Sequence, residues 1–186
     1  MLKKVKRNFS KVVLLISIFI LNVLVFINSS YAASINSAYL YSIGDCGQLL
    51  KYRGSIVKVS YVQYDYNGMQ YPAYCLDKTK PGAETQSYTV SVNKAINDVG
   101  LWRIIVNGYP YKTIEELGVA SKEEAFTATK QAVYCYIHGN NPSDYQGIGE
   151  AGARTLNAMN QIIYNAQNSN ETKISNTIQI NKNEDE

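Results

Sequence analysis

The sequence predicts an α+β protein, in which an N-terminal antiparallel β-sandwich or partial barrel precedes a C-terminal helical subdomain. Residues 39–92 are rich in Val, Ile and Tyr and partly alternate apolar with polar side chains, which is typical of strands. From Asn93 onward the apolar residues recur with a period near 3.6, and two capping-box sequences follow. Strands and helices in separate blocks of the chain indicate the α+β class.

The first 32 residues form a predicted secretory signal peptide. Five cations precede an apolar run over residues 12–27, and the small residues Ser30 and Ala32 mark a cleavage site. The alternative is an uncleaved membrane anchor, because the apolar run approaches the length of a short spanning helix. Cleavage would leave residues 33–186 as one extracellular or surface-exposed domain with no membrane segment.

The composition of this mature chain argues against several classes of function. Removal of the signal leaves 13 Lys and Arg against 15 Asp and Glu, so no basic surface for nucleic acid is expected. The chain has one histidine and no C-x-x-C spacing, so the usual zinc ligands are missing, and no metal or cofactor is predicted. About 150 residues are enough for a domain with its own core, which we expect to be monomeric.

The β-rich part contains one strong hairpin signal. Residues 55–66 predict a strand that meets Asn67-Gly68 and resumes over residues 69–76. Asn-Gly favours a two-residue hairpin turn because both central positions must accept positive φ. Pro72 cannot donate a ladder hydrogen bond, so the second strand is expected at a sheet edge. Cys75 then lies near the end of this strand.

The helical part has clear start and stop signals. Ser121-Lys122-Glu123-Glu124 is a capping box that opens a helix, and Gly139 followed by Asn140-Asn141-Pro142 ends it. A second capping box, Thr113-Ile114-Glu115-Glu116, predicts a short helical turn that Gly118 closes. The predicted helices cover residues 93–106, 122–138 and 150–166, after a further strand over residues 85–92.

The three cysteines of the mature chain are an odd number, so at least one lacks an internal disulfide partner. In one interpretation Cys46 pairs with Cys75 or Cys135, and the remaining thiol is inert. In another, one thiol is held in a different covalent bond. Cys135 and His138 also have the i, i+3 spacing of a nucleophile and base on one helix face, although a histidine at a helix C-terminus more commonly acts as a cap.

Two short motifs have a more specific meaning. Tyr74-Cys75-Leu76-Asp77 lies at the predicted strand end, and residues 128–134, Ala-Thr-Lys-Gln-Ala-Val-Tyr, lie within the capped helix. Together, in this order and behind a signal peptide, they resemble the thioester domains of Gram-positive surface adhesins. The sequence departs from the family pattern in two places. Lys130 separates Thr129 from Gln131, which are adjacent in the common form, and Tyr134 replaces a frequent Trp.

The resemblance implies a function in covalent attachment. Cys75 would supply the sulfur of an internal Cys–Gln thioester, and Tyr74, Asp77, Thr129 and Gln131 would support the site. The stored electrophile would react once with an amine on a host surface molecule, so the domain would not be a turnover enzyme. The alternatives are a non-covalent, disulfide-stabilised surface binding module and a secreted cysteine amidase or peptidase.

The resemblance also implies that the acyl glutamine lies on a strand after the helices, between hydrophobic residues. Ile178-Gln179-Ile180 is the match of that kind in this sequence, and Gln131 is a weaker candidate. Because the sequence stops soon after Gln179, we expect that it is a fragment and that the acyl glutamine follows Glu186 in the longer protein.

Overall fold

The computed structural model describes residues 37–66, 68–80, 82–83, 85–89 and 98–172. The predicted signal peptide and Ile178-Gln179-Ile180 lie outside the described residues. Seven strands and three α-helices are present in the described part of the chain. They are β1 (Ser37–Asp45), β2 (Leu50–Tyr52), β3 (Ser55–Ile56), β4 (Ser60–Tyr66), β5 (Met69–Pro72), β6 (Gln86–Thr89), α1 (Val99–Val106), α2 (Lys122–His138), β7 (Tyr145–Gly147) and α3 (Gly149–Gln167).

The described strands form two antiparallel sheets, not a closed barrel. One sheet has the order β5-β4-β1-β6 and the other has the order β3-β2-β7. Strands dominate the N-terminal part and helices the C-terminal part, so the predicted α+β class is confirmed. In the described part of the chain, no helix has both the length and the apolarity that crossing a membrane requires.

The Asn-Gly hairpin is confirmed by the pairing of β4 with β5. Tyr66 lies opposite Met69, and Gly68 in the turn has φ 74°. Pro72 lies in β5 at the edge of the four-stranded sheet, as its missing N–H predicts. The predicted continuous strand over residues 55–66 was wrong, because the chain changes sheets between β3 and β4. Val59 is buried at this crossing, and its carbonyl accepts a hydrogen bond from Cys46 N.

The helix signals of the sequence act locally, as predicted. The Ser121 hydroxyl accepts a hydrogen bond from Glu124 N at 3.2 Å, and Gly139 ends α2 in the left-handed conformation with φ 65°. α1 begins at Val99, with Asp98 as its N-cap, and not at Asn93. Residues 93–97 of the predicted helix lie outside the described residues. Asp98 has extended backbone angles and its carboxylate accepts from Leu101 N, so the cap sets the start of the helix.

The three helices and the small sheet share one core. Its fully buried side chains include Leu50 of β2, Phe126 and Val133 of α2, and Met159 and Ile162 of α3. The sequence did not predict β7, which pairs with β2 through Leu50 opposite Gly147. A three-residue strand is too short to show a period of two, so only the tertiary structure reveals that the helical half adds a strand to this sheet.

Candidate functional site

Cys75 lies in a loop three residues after the end of β5, and its side chain is partly buried. The thiol donates a hydrogen bond to the carbonyl oxygen of Asp77 at 3.0 Å. The Asp77 carboxylate accepts from the backbone N–H of Thr79 at 2.9 Å and from its hydroxyl at 2.6 Å. These two hydrogen bonds from Thr79 hold the pKa of Asp77 below its usual value. Asp77 therefore shapes the loop through its side chain and contacts the thiol through its backbone.

Tyr74 anchors this loop to α2. Its ring stacks on Phe126, with centroids 4.7 Å apart and an interplanar angle of 18°. Its hydroxyl donates to the carbonyl oxygen of Tyr109 at 2.6 Å. Burial raises the pKa of Tyr74 well above its usual value, so this hydroxyl remains a donor at physiological pH. Because Tyr74 directly precedes Cys75, these contacts fix the position of the thiol.

Thr129 supports the same arrangement from within α2. Its hydroxyl accepts a hydrogen bond from Tyr109 N at 2.9 Å and donates to Ala125 O at 2.9 Å. Gly108 packs against this side chain so closely that an added Cβ would lie 2.5 Å from Thr129 Cγ2. Thr129 thus holds the segment around Tyr109 that in turn binds the Tyr74 hydroxyl.

Gln131 is buried and connects α2 to β7. Its carboxamide oxygen accepts a hydrogen bond from the Tyr145 hydroxyl at 3.0 Å, and that hydroxyl accepts from Asn140 Nδ2 at 2.8 Å. Burial raises the pKa of Tyr145, which keeps its proton available for Gln131. The structure therefore gives Gln131 a structural partner on the three-stranded sheet.

A row of three side chains on α2 faces the Cys75 loop. Lys130, Tyr134 and His138 are spaced four residues apart and lie on one side of the helix. Tyr134 lies beside the Cys75 thiol, which adds to the raised pKa of the Tyr134 hydroxyl. Lys130 Nζ lies 5.8 Å from the centroid of the Tyr134 ring, and the His138 ring packs edge-on against Tyr134 at 5.1 Å.

Sequence reasoning did not assign Lys130 and Tyr134 to the site as functional residues, although their spacing of four was visible. In the sequence, Lys130 was noted only because it separates Thr129 from Gln131, which is a departure from the family pattern. The i, i+4 spacing shows that two residues share a helix face but not which element that face meets. Their neighbour Cys75 is more than fifty positions away in the chain.

Burial dominates the electrostatics of this face. It lowers the pKa of the Lys130 ammonium, and the nearby thiols of Cys75 and Cys46 act in the opposite direction. It raises the pKa of Tyr134 to about 12, and the neighbouring Cys75 adds to this shift. It also raises the pKa of the Cys46 thiol to about 11, which keeps that group neutral at physiological pH. Lys130 is therefore a partly buried cation on this helix face.

All three cysteines lie in the described part of the chain, and none forms a disulfide. Cys46 is buried in the main core, and Cys135 lines a cavity of about 390 Å³ between the helices. The Cys135 thiol contacts the Tyr145 hydroxyl, whereas the His138 ring packs on Tyr134. The proposed disulfides of Cys46 are therefore not formed. Cys135 and His138 contact different side chains, so they are not paired as a nucleophile and its base.

Within the described residues, no three His, Cys, Asp or Glu side chains cluster as metal ligands would.

The fold and the cysteine loop packed on a capped helix define a protein of the thioester-domain class. A family model described as "TED: Thioester domain" matches residues 72–168, which include Cys75, Thr129 and Gln131. This chain belongs to the thioester domain family, and the resemblance found in the sequence is confirmed.

Solved structures show the same fold. The thioester domain of the Enterococcus faecium TIE86 protein matches with a TM-score of 0.59 and 21% identity, over 75% of this chain and 53% of that chain. The Bacillus anthracis TIE protein matches with a TM-score of 0.60 and 20% identity, over 75% of this chain and 25% of that chain. This chain therefore spans about half of the first structure and a quarter of the second. A comparison with curated proteins gave no match.

Proposed function

We propose that this chain is a surface-exposed bacterial adhesin domain, in which Cys75 forms an internal thioester with a glutamine and then bonds covalently to an amine of a host surface molecule. The observation that carries the proposal is the environment of Cys75. It is a free, partly buried thiol within the family match, hydrogen-bonded to the Asp77 carbonyl and lying beside Tyr134 of α2. The domain comprises residues 33–186, behind a signal peptide at residues 1–32.

The chemistry requires a positioned thiol and restricted access for water. The Cys75 thiol adds to a glutamine carboxamide, ammonia leaves, and a thioester remains. The aromatic rings of Tyr74, Phe126 and Tyr134 pack around the base of the loop and limit hydration of the thioester. Partial exposure of Cys75 leaves a path for an incoming amine, which displaces the thiolate and forms a stable amide. One reaction per molecule makes the domain a covalent binding module and not a turnover enzyme.

Gln179 is the first candidate for the acyl partner within this sequence. It lies outside the described residues, and its support is the Ile-Gln-Ile pattern on the C-terminal side of α3. Gln131 is the weaker candidate, because its carboxamide oxygen already accepts a hydrogen bond from Tyr145 at 3.0 Å. Breaking that bond would leave buried polar groups of α2 and β7 without partners.

The experiment is an intact-mass measurement on the secreted protein before and after exposure to methylamine. We expect the untreated protein to lack the mass of one ammonia, and methylamine to convert it to a stable adduct. Cys75→Ala should show neither change, whereas Cys46→Ala and Cys135→Ala should show both. The full mass in the wild type, with Cys75 open to iodoacetamide, would contradict the thioester and leave a non-covalent binding module.

The same measurement identifies the acyl partner. Gln179→Ala should restore the full mass apart from the substitution, and Gln131→Ala should retain the deficit with lower stability. A deficit that survives in both variants would place the acyl glutamine elsewhere in the protein. A deficit that appears only when the chain is extended past Glu186 would place it in the longer protein.

A further inference from the structure

We infer that Asn140 is a positioning residue of the thioester site, which holds the turn that carries Cys75 against the end of α2. This inference rests on the proposed function and names a residue that determines how long the thioester survives. Asn140 acts through Lys78, three residues after Cys75 in the chain. Two hydrogen bonds of its carboxamide, one from Lys78 and one to the buried Tyr145, carry the argument.

Residues 75–79, here called the cysteine turn, are bonded to one another. The Cys75 thiol donates to the carbonyl oxygen of Asp77 at 3.0 Å. The Asp77 carboxylate accepts from the Thr79 N–H at 2.9 Å and from the Thr79 hydroxyl at 2.6 Å. These bonds give the cysteine turn its shape but do not place it on the rest of the domain. A shift of the turn as a whole therefore moves the thiol with it.

The cysteine turn is fixed to the helical half on both sides. Before it, the Tyr74 hydroxyl donates to the carbonyl oxygen of Tyr109 at 2.6 Å. Within it, the Lys78 ammonium donates to the Asn140 carboxamide oxygen at 3.4 Å, across 62 positions of the chain. The second bond is long and exposed to solvent, so it can hold the turn only if its acceptor is already fixed in place.

Asn140 is such a fixed acceptor. Its Nδ2 donates to the Tyr145 hydroxyl at 2.8 Å, and that hydroxyl donates to Gln131 Oε1 at 3.0 Å. Gln131 and Tyr145 are 2% and 4% exposed, so this chain of hydrogen bonds begins in the interior. The nitrogen side of the Asn140 carboxamide is thereby held on β7, and its oxygen accepts from Lys78.

The same hydrogen bonds connect Gln131 of the helical motif to the cysteine turn. The Gln131 carboxamide contacts Tyr145, and Asn140 extends this contact to Lys78. A purely structural role would explain the bond of Asn140 to the buried Tyr145 hydroxyl, because buried polar groups need partners. It would not explain the exposed bond to Lys78, which joins the turn to the end of the helix.

Loss of this connection should leave the reacting groups in the protein but loosen their surroundings. Neither Asn140 nor Lys78 is required to react, so the thioester should still form. A cysteine turn held from the Tyr74 side alone would admit water to the thioester more often, because a shielded electrophile depends on a closed packing of its neighbours. The expected consequence is a shorter lifetime of the thioester.

The test follows the ammonia deficit of the secreted protein by intact mass over time in buffer without an amine. Asn140→Ala removes both bonds of the carboxamide, and Lys78→Met removes the donor of the exposed bond. Lys78→Arg is the conservative variant, because its guanidinium can still donate to the Asn140 oxygen. Lys122→Met and Asn160→Ala are the matched controls, since they change an exposed lysine of α2 and an exposed asparagine of α3.

We expect Asn140→Ala and Lys78→Met to lose the deficit about threefold faster than the wild type, the change in population that one hydrogen bond can cause. Lys78→Arg and both controls should match the wild type. The double variant Asn140→Ala/Lys78→Met should be no faster than Asn140→Ala alone, because both substitutions break the same connection. Thermal unfolding of Lys78→Met should occur at the wild-type temperature, which separates loss of positioning from loss of fold.

Three results would overturn the inference while leaving the thioester established. They are a wild-type rate in Asn140→Ala or Lys78→Met, additive rates in the double variant, and a rate in Lys78→Arg as fast as that in Lys78→Met. The first two would show that Asn140 does not act through Lys78. The third would show that a donor at position 78 is not what holds the turn.

Tyr145→Phe tests the buried end of the connection. It removes the hydroxyl to which Asn140 donates and also leaves Gln131 without its donor, so some loss of stability is expected. For this reason the effect of Lys78→Met is compared in the two backgrounds, which cancels that loss. We expect Lys78→Met to speed hydrolysis in the wild type but not in Tyr145→Phe. An equal effect in both backgrounds would overturn the part assigned to Tyr145.

A second readout remains valid if the wild type shows no ammonia deficit and the proposed function fails. Iodoacetamide modification of a free Cys75 thiol, located by peptide mapping, should be about threefold faster in Asn140→Ala than in Asn160→Ala, because the loosened turn exposes the thiol. Both substitutions are uncharged, so the charges around Cys75 stay the same. Equal rates of modification would overturn the positioning role of Asn140 independently of the thioester.

Discussion

Tyr134 on α2 lies beside the thiol of Cys75 in the loop after β5. This proximity brings together the two motifs that identify the family, although they lie more than fifty residues apart in the chain. Burial raises the pKa of Tyr134 to about 12, so the hydroxyl keeps its proton and can donate to sulfur at physiological pH. The helical motif therefore places a protonated hydroxyl beside the cysteine of the proposed thioester.

Tyr134→Phe removes the hydroxyl beside Cys75 and keeps the ring that packs against His138 and Lys130. We expect methylamine capture to slow by about tenfold, because a hydrogen bond to a charged group contributes about 1.5–3 kcal/mol and the departing sulfur carries negative charge. Tyr136→Phe is the control, since its hydroxyl donates to Asp98 at 2.7 Å on another face of α2. Equal capture rates in the two variants, followed by intact mass, would refute the role of Tyr134.

Thr129→Val tests the anchoring of the cysteine loop. The substitution leaves Tyr109 N without the acceptor at 2.9 Å, so we expect the free energy of unfolding to fall by about 1–3 kcal/mol. We also expect faster hydrolysis of the thioester, because Tyr109 holds Tyr74 beside Cys75. Thr155→Val is the matched control, a buried threonine whose hydroxyl bonds only within its own helix, to Ala151 O. Denaturant unfolding compares the stability of the two variants, and mass measurement over time compares the rates of thioester hydrolysis. Only Thr129→Val should hydrolyse faster than the wild type.

Glu124 makes stability sensitive to acid. The Arg154 guanidinium holds the pKa of this carboxyl below its usual value of 4.5. Because the pKa of Glu124 is lower in the folded state than in the unfolded state, the ionised carboxylate stabilises the fold above pH 4.5. That stability is lost as the pH falls through the folded-state pKa of Glu124. We expect Glu124→Gln to be less stable than wild type at pH 7 and to lose less stability on acidification.

Urea unfolding at pH 7 and at several values below pH 4.5 measures this difference. Glu123→Gln is the control, because it removes a neighbouring carboxylate that forms no ion pair within the described residues. If Glu124→Gln and the wild type lose stability in parallel on acidification, the ion pair of Glu124 with Arg154 is not the source of the acid sensitivity.

Gly152→Ala tests the close approach of α3 to the loop after β1. A Cβ at this position would overlap the carbonyl oxygen of Leu49. Alanine gains about 1 kcal/mol of helix propensity over glycine, but displacing a backbone segment in a packed region costs more, so we expect net destabilisation of about 1–3 kcal/mol. Gly82→Ala, where nothing lies within 4 Å of the added carbon, should change stability by less than about 1 kcal/mol. Thermal unfolding of both variants measures these two changes in stability, and equal changes would contradict the close approach at Gly152.

The features predicted correctly from the sequence are those with local causes. Asn67-Gly68 specified a hairpin because the turn needs positive φ, and Ser121 and Gly139 bounded α2 because they satisfy or end its backbone hydrogen bonds. The motif around Cys75, together with that of α2, identified the family. Each of these signals is contained within a few neighbouring residues, so the sequence alone determined them.

Only the tertiary structure decided which side chains meet. The rotation of α2 turns Lys130 and Tyr134 toward Cys75 and directs Gln131 to Tyr145 of β7, a strand that no periodicity revealed. That rotation follows from packing α2 against α3 and the two sheets, where Phe126 and Val133 must fill the core. Contacts of this kind depend on residues far apart in the chain, and a spacing of four on one helix carries no information about the partner that its face will meet.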